Sequence, residues 1–135
     1  MFTTAHVVGS FSVDDIAAAR SFYSETLGLA VREGMMGNLV ITFGSGAEAF
    51  AYVTPDHRPA GFTILNFVSD DVEKSVDELN AAGVVAKIYG DDDLADMPGN
   101  DAKGIMRDED GVAQIAWFRD PAGNVLAVVT GEDPS

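Results

Sequence analysis

The chain of 135 residues contains no cysteine. This absence excludes a disulfide framework, catalysis by a thiolate and any zinc site built on sulfur. No uninterrupted apolar run reaches the roughly 18 residues of a membrane-spanning helix. The opening, Met1-Phe2-Thr3-Thr4, lacks the basic and then apolar composition of an export signal. We therefore expect a water-soluble, cytoplasmic protein.

Basic residues are also scarce, since 8 lysines and arginines stand against 22 aspartates and glutamates, for a formal net charge of −14. A potential of this sign repels phosphate backbones and anionic lipid headgroups. We expect neither nucleic acid nor a membrane surface as a partner. The acidity has two interpretations, solubility and the attraction of a cationic small molecule, and the sequence leaves both open.

What the chain does contain is an internal repeat. Asp14-Asp15-Ile16 leads through a helical pattern to Leu27-Gly28-Leu29, and about 55 residues later Asp70-Asp71-Val72 leads through another to Ala82-Gly83-Val84. Aspartate before an apolar periodic stretch is typical of a helix N-cap, and glycine after it is typical of the left-handed residue that ends a helix. The repeat predicts one supersecondary unit present twice within a single domain, 1–135.

Each copy is predicted as a βαβββ module. In module one, residues 1–54, short extended segments separated by glycines follow the helix, at 29–33, 38–43 and 49–53. The segment 55–61 carries two prolines and no periodicity, which predicts a linker. Module two, residues 62–131, is predicted to have strands at 62–68, 84–89, 114–118 and 125–130. The long polar segment 90–111 is its best candidate for a lid.

The motif residues resemble those of the vicinal oxygen chelate superfamily: the cap Val13-x-Asp15-Ile16, Phe22-Tyr23 on the helix, Leu27-Gly28-Leu29, and later Trp117-Phe118-Arg119-Asp120-Pro121-x-Gly123-Asn124. That group includes glyoxalase I, extradiol dioxygenases, fosfomycin-resistance transferases and bleomycin-binding proteins. The resemblance implies an α+β fold in which two tandem βαβββ modules form curved mixed sheets around a shared cavity, with the helices outside, often in a homodimer.

The resemblance also implies where a metal would be held. Metal-using members place ligands at matched points of the two modules, which here are occupied by Val8, Ile64, Ala127 and, less certainly, Ala51. An aliphatic side chain supplies no electron pair to a divalent ion. We therefore expect no metal and no other cofactor.

The same positions and their neighbours define a candidate ligand-binding set. Strand alternation gives His6 and Ser10 the parity of Val8, and gives Asn66 the parity of Ile64. Tyr52 and Trp117 are amphipathic aromatic residues suited to stacking on a planar ligand. For each of these residues, packing in the core or pairing of a backbone group is the alternative. The predicted set is His6, Val8, Ser10, Tyr52, Ile64, Asn66, Trp117 and Ala127.

Two classes of function follow from this set. The first is a metal-free binding protein whose cavity sequesters a small, partly aromatic or cationic molecule, as bleomycin-binding relatives do. The second is a lyase, isomerase or dioxygenase that uses a displaced metal site at His6 and an acid such as Glu48, or acid–base catalysis without metal. A subunit that regulates a partner is a third. His57, in the proline-rich linker, is interpreted as solvated, and no catalytic residue is assigned.

Overall fold

The computed structural model describes residues 1–88 and 101–131 of the chain. The chain divides into two compact units, Met1–Pro59 and Ala60–Ser135. The boundary between them falls inside the segment 55–61 that the sequence predicts as a linker. Each unit contains one four-stranded sheet and one α-helix, in the order strand, helix and three strands. The α+β class and the two tandem modules are thereby confirmed, whereas the shared cavity stays a prediction.

In the first unit the strands that follow the helix lie close to the predicted segments, whereas the first strand, expected to include His6 and Val8, begins only at Gly9. The elements of the unit are β1 (Gly9–Val13), α1 (Ile16–Ser21), a π-helical turn (Phe22–Thr26), β2 (Ala30–Glu33), a 3₁₀ turn (Met35–Gly37), β3 (Leu39–Thr42) and β4 (Glu48–Val53). The sheet order is β1-β4-β3-β2, with β1 parallel to β4 and the other pairs antiparallel. The unit is therefore a mixed sheet with its parallel strand at one edge.

The helix of this unit begins where the sequence predicts. The side chain of Asp15 accepts hydrogen bonds from the backbone N–H groups of Ala17 and Ala18, at 3.0 and 3.1 Å. The helix then widens, because the N–H of Leu27 bonds to the carbonyl of Phe22 five residues earlier. Gly28 follows with φ +73°, which is the predicted left-handed position.

One face of the first sheet packs on the helix. Alternate strand residues Phe11, Val13, Leu39, Ile41, Ala49 and Ala51 are buried. They meet Tyr23, which is fully buried and lies 5.7 Å from Phe11 between ring centroids, and α1 packs against β4. The other residues of each strand therefore project from the opposite, open face of the sheet.

The second unit repeats this plan. It consists of β5 (Thr63–Ser69), α2 (Val72–Ala81), β6 (Met106–Arg107), β7 (Gln114–Arg119) and β8 (Val125–Thr130), with the sheet order β5-β8-β7-β6. Asp71 caps α2 by accepting from the N–H of Lys74 at 3.0 Å. The predicted stripe of Val72, Val76 and Leu79 is buried, and α2 packs against β7 and β8.

The turn between β7 and β8 is held by a buried carboxylate. Asp120, only 5% exposed, accepts from the N–H groups of Ala122 and Asn124 through one oxygen and from the Asn124 amide through the other. Gly123 lies in the predicted positive-φ conformation, at +84°. These motif residues are therefore turn residues, and their presence indicates the fold rather than a reaction.

Two predictions for the second unit differ from the structure. In the described part of the strand predicted at 84–89, a single parallel bridge joins Lys87 to Trp117. The ladder on this edge of β7 is formed instead by the short strand β6, which pairs with Gln114 and Ile115. The segment 90–111 is not wholly a polar loop either, since Ile105 and Met106 are buried. Residues 89–100 lie outside the described residues.

The described part of this segment is fastened to α2. The ammonium group of Lys103 lies 2.9 Å from carboxylate oxygens of both Glu73 and Asp77, and these two carboxylates raise the pKa of Lys103. Arg107 lies 2.6 Å from Asp101 and 3.9 Å from Glu73. Residues 101–107 are thus held by ion pairs on one side of the helix.

Within the described ranges, no helix has the length and apolar character needed to cross a membrane.

Candidate functional site

The open face of the first sheet carries polar and aromatic side chains. Ser10 pairs with Phe50 across the β1–β4 ladder, and Ser12 pairs with Tyr52. The rings of Phe50 and Tyr52 lie 6.4 Å apart and are tilted by 51°. Ser10 and Tyr52 are exposed. Two of the predicted ligand-binding residues, Ser10 and Tyr52, therefore lie on one accessible surface.

One end of this face is occupied by an ion pair. The guanidinium of Arg32 donates to Glu48 at 3.1 Å, and the hydroxyl of Thr42 donates to the same carboxylate oxygen at 3.3 Å. Glu48 is the acid that the displaced-metal hypothesis pairs with His6. Because this carboxylate already forms an ion pair with Arg32, it is poorly suited to bind a metal ion.

The other end of the face is occupied by a histidine from the linker. His57 Nδ1 lies 2.7 Å from the hydroxyl oxygen of Ser12. His57 is half-buried, whereas its neighbours Asp56 and Arg58 are exposed. The chain turns back at this point, because the His57 N–H donates to the carbonyl of Thr54 at 3.1 Å. The imidazole is therefore half-buried and in contact with Ser12, rather than fully solvated as the sequence predicts.

Two predicted residues precede the sheet. His6 is exposed and Val8 is half-buried, and both lie before Gly9, where β1 begins. Strand alternation therefore does not fix the side to which either of them points. Ala51 lies on the helix-facing side of the sheet and is fully buried. The open-face positions of β4 are instead Glu48, Phe50 and Tyr52.

The open face of the second sheet carries three predicted residues in one row. Asn66 on β5 pairs with Ala127 on β8, and Ala127 pairs with Trp117 on β7. The helix-facing residues alternate with them, as Phe118 and Leu126 are fully buried and Phe118 stacks on Phe67 with centroids 6.3 Å apart. Asn66, Ala127 and Trp117 therefore share the side of the sheet that faces away from α2.

The indole of Trp117 is fixed across this row. Its Nε1–H donates to the hydroxyl of Thr63 at 3.2 Å, although Thr63 is on β5 and the strand β8 lies between β5 and β7. The ring must therefore cross β8 on the open face. Ala127 and Val125, on the same side of β8, are buried. The result is a flat aromatic surface held by a hydrogen bond, which we call the Trp117 platform.

Ile64 lies at an irregularity of the sheet. The pairing of β5 with β8 passes from Thr63 opposite Val125 to Leu65 opposite Leu126, so Ile64 has no partner in the register. An extra residue of this kind changes the alternation of a strand. The parity argument that groups Ile64 with Asn66 therefore does not apply. The irregularity instead brings Thr63 to the side where the indole of Trp117 reaches it.

A cavity of about 470 Å³ lies in the same unit. Ile115 and Val129, which pair with each other two residues along from the Trp117 row, form part of its wall together with Met106. Its charged lining consists of Arg107, Asp108 and Glu109. This volume is in the range of small-molecule sites. The second unit therefore offers a ligand an apolar wall with carboxylates at its edge.

The residues at the metal positions of the fold do not fit a metal ion. Val8, Ile64 and Ala127 supply hydrocarbon only, and the indole crosses the strand at Ala127. Among residues 1–88 and 101–131, no group of three or more histidine, aspartate or glutamate side chains is placed to hold an ion. Removing a divalent ion from water without such donors is strongly unfavourable. Val8, Ile64 and Ala127 are therefore unsuited to hold a divalent ion.

Sequence reasoning found some of these residues and missed others. It selected Trp117, Asn66 and Ala127, which the register joins in one row, and Ser10 and Tyr52 on the first sheet. It missed Thr63, whose hydroxyl fixes the indole, and the contact between Ser12 and His57. His57 lies in a linker close to the sheet, but its partner Ser12 on β1 is 45 residues away and leaves no local pattern in the sequence.

The comparisons with known proteins agree with this architecture. The model of the Glyoxalase/Bleomycin resistance protein/Dioxygenase superfamily matches residues 3–128, which is nearly the whole chain. No curated protein matches the chain.

Solved structures of similar fold include a glyoxalase family protein from Enterococcus faecalis, with a TM-score of 0.67 and 20% identity over 96% of this chain and 99% of that one. A lactoylglutathione lyase from Agrobacterium tumefaciens has a TM-score of 0.59 and 21% identity, covering 95% and 94% of the two chains. The fosfomycin resistance protein FosX from Listeria monocytogenes has a TM-score of 0.67 and 11% identity, covering 96% and 94%. At these identities the likeness establishes the fold.

Proposed function

Since the chain belongs to the Glyoxalase/Bleomycin resistance protein/Dioxygenase superfamily, we propose that it is a metal-free binding protein for a small organic molecule that is planar, cationic or both. The observation that carries the proposal is the Trp117 platform, whose indole crosses the strand β8 at Ala127. The family resemblance assigns this position to a metal ligand in metal-using members. In this chain an aromatic surface suited to stacking takes the place of that ligand.

The platform suits a planar ligand for two physical reasons. An indole offers a large flat area, and its electron-rich face attracts a cation by about 0.5–2 kcal/mol, depending on desolvation. The hydrogen bond to Thr63 holds the ring in one orientation, so that less conformational entropy is lost when a ligand stacks on it. Asn66, exposed at the other end of the row, supplies an amide that fixes the ligand's orientation.

The charge of the protein supports the cationic part of the proposal. The formal net charge of −14 attracts a cation from solution. Locally, Asp108 and Glu109 line the cavity with Ile115 and Val129, and the one cation of that lining, Arg107, is paired with Asp101. A ligand with an aromatic or aliphatic body and a positive group matches both features. Bleomycin, which the family description names, and N-methylacridinium, a small planar cation, are suitable probes of this class.

The test compares platform variants by isothermal titration calorimetry with N-methylacridinium. Trp117→Leu keeps an apolar side chain and removes the ring, and we expect it to weaken binding about tenfold. Thr63→Val keeps the shape and removes the acceptor, so binding should weaken about threefold. Phe2→Leu is the matched control, because it replaces an exposed aromatic residue outside both sheets, and it should bind like the unmodified protein.

Anthracene-9-carboxylate, a planar anion of similar size, separates stacking from charge and should bind more weakly than the cation. Thermal unfolding of each variant confirms that it is folded. The proposal is contradicted if neither bleomycin nor N-methylacridinium binds, or if Trp117→Leu binds as tightly as the unmodified protein. A stoichiometric amount of iron, nickel, zinc or manganese in the purified protein would instead favour the enzymatic alternative, a lyase, isomerase or dioxygenase.

A further inference from the structure

The apolar wall of the cavity in the second unit is a row of paired strand residues. Val129 on β8 pairs with Ile115 on β7, and Ile115 pairs with Met106 on β6. All three residues line the cavity of about 470 Å³. Ile115 lies two residues before Trp117 on the same strand, so both side chains project from the face away from α2. The cavity therefore opens on the same face as the Trp117 platform.

The separation between the cavity and the platform follows from strand geometry. The row of Ile115 and Val129 lies two residues along from the row of Trp117 and Ala127. Two residues of an extended strand span roughly 7 Å. A ring that stacks on the indole therefore reaches the apolar wall through a substituent only a few atoms long.

From this arrangement we infer that the cavity is a second subsite, which accepts an alkyl arm attached to the ring that stacks on Trp117. The ligand class is thereby narrowed from planar cations in general to planar cations that carry a short apolar substituent. The inference rests on the proposed function, since it concerns the same ligand. Each methylene group that is fully buried strengthens binding about fourfold, so an arm of this kind contributes strongly to affinity.

The wall of the cavity is suited to hydrocarbon. Ile115 and Val129 are half-buried, so they keep apolar surface that a ligand covers when it binds. Met106 has an unbranched, polarisable side chain that adapts to different apolar shapes. Arg107 also lines the cavity, but its side chain alternates with that of Met106 along β6, and its guanidinium lies 2.6 Å from Asp101. The charge of Arg107 is therefore already balanced.

The turn that follows β6 sets a limit on the end of the arm. Asp108 and Glu109 belong to the lining and are exposed. One oxygen of Asp108 accepts from the N–H groups of Val112 and Ala113, at 2.9 and 3.2 Å, which fixes this carboxylate in the turn. An arm that ends in a carboxylate would bring like charges together. The subsite therefore favours a neutral arm over an anionic one.

The experiment measures the gain in affinity from N-methylacridinium to N-butylacridinium by isothermal titration calorimetry. For the unmodified protein we expect the butyl compound to bind about tenfold more tightly, because its additional methylene groups are partly buried in the cavity. N-(3-carboxypropyl)acridinium, whose arm has a similar length and an anionic end, should show a gain of no more than about twofold. A gain as large as that of the butyl compound would contradict the limit set by Asp108 and Glu109.

Two variants assign the gain to the cavity. Val129→Thr keeps the shape of the side chain and its β-branch but replaces a methyl group by a hydroxyl, and Ile115→Thr also keeps the β-branch. Each should reduce the butyl gain to about threefold and leave the affinity for N-methylacridinium nearly unchanged. Val68→Thr is the matched control, because Val68 pairs with Val129 and is 70% exposed, but lies on β5, beyond the described lining of the cavity. It should keep the tenfold gain.

A butyl gain that is absent from the unmodified protein, or that is unchanged in both Val129→Thr and Ile115→Thr, overturns the inference. In either case, binding of N-methylacridinium leaves the proposed function intact. Failure of the unmodified protein to bind both N-methylacridinium and bleomycin overturns the two together. If the threonine variants do not fold, the methyl resonances of Ile115 and Met106 give the same test. They should shift on addition of N-butylacridinium more than on addition of N-methylacridinium, and equal shifts contradict the inference.

Discussion

At Gly104 the surrounding backbone leaves no room for a Cβ atom. This glycine adopts φ +85°, and a Cβ built on it would meet the carbonyl oxygen of Ala86 and lie 2.7 Å from the Cα of Lys87. Both neighbours are backbone atoms, which cannot move without displacing the chain. The segment 101–107 thus approaches residues 86–87 as closely as glycine allows.

Gly104→Ala should therefore be strongly destabilising. We expect a loss of about 3 kcal/mol in the free energy of unfolding, from the strained backbone and the overlap together. Gly83→Ala is the matched control, because Gly83 has φ +86° and no atom near its would-be Cβ, and it should cost about 1 kcal/mol. Urea denaturation measures both. Equal losses would show that the close approach is not part of the folded protein.

Asp101 organises the same segment through hydrogen bonds. Burial opposes its ionisation, but the hydrogen bonds from Arg107 and from the backbone N–H groups of Ile105 and Lys103 outweigh this effect and lower the pKa of Asp101 below its usual 3.8. Because the pKa is lower in the folded protein, the ionised carboxylate stabilises the fold above the unfolded-state pKa. That stabilisation is lost as the pH falls through the folded-state value.

Asp101→Asn should lower the free energy of unfolding by about 1 kcal/mol at pH 7, because the Arg107 contact loses its charge while some acceptor capacity remains. The difference from the unmodified protein should begin to shrink below a pH of about 4, where Asp101 becomes protonated in the unfolded chain, and should be lost once the pH falls below the lowered pKa of the folded protein. Denaturation series at pH 7 and pH 3 provide the measurement. A difference that stays constant between the two pH values would contradict this role for the carboxylate.

At the scale of secondary-structure elements, the helix starts were the most predictable feature. Asp15 and Asp71 cap α1 and α2 because an aspartate needs only the next two or three backbone N–H groups to do so, and that information is local. The π-helical turn at Phe22–Thr26 was not predictable, since a hydrogen bond that skips one extra residue leaves the apolar stripe almost unchanged.

The cap of α1 gives a prediction at this scale. Asp15→Ala should destabilise the protein by about 1 kcal/mol, because two N–H groups of the first turn lose their acceptor. Asp14→Ala removes the same charge one residue earlier and is the control; it should cost no more than about 0.5 kcal/mol. Thermal unfolding measures the two variants side by side. Equal shifts would mean that charge, rather than capping, is responsible.

Strand positions were predictable where alternation was uninterrupted, and not where pairing depends on distant partners. β8, at Val125–Thr130, coincides with its predicted range. The segment 84–89 has a suitable composition for a strand, yet its described part forms only one bridge to β7. The short strand β6 forms the ladder on that edge of β7. Likewise, the irregularity at Ile64 and the contact of Ser12 with His57 both depend on residues far away in the chain.

At the scale of the whole molecule, the repeat and the charge were readable from sequence, and each has a consequence. The repeat appears as two units of the same plan, each with one sheet face packed against a helix. The net charge of −14 acts over distances beyond any single contact. No pattern in the sequence identifies a ligand, because a binding site depends on side chains brought together from several strands.

The charge predicts that association with a cation depends on salt. The association rate of N-methylacridinium, followed by stopped-flow quenching of the single tryptophan, should fall about fivefold between 20 and 200 mM sodium chloride, because the Debye length shortens from about 20 to about 7 Å. Anthracene-9-carboxylate should show the opposite trend. A rate for the cation that does not change with salt would mean that long-range charge plays no part in its capture.

The central claim is that this member of the superfamily binds an organic ligand without a metal ion, on a surface that includes the Trp117 platform. The most direct test is calorimetric titration of N-methylacridinium into protein stripped of metal with a chelator, compared with the same protein as purified. We predict equal affinity and stoichiometry in the two samples. Binding that disappears on stripping and returns with one equivalent of a divalent metal ion would contradict the account.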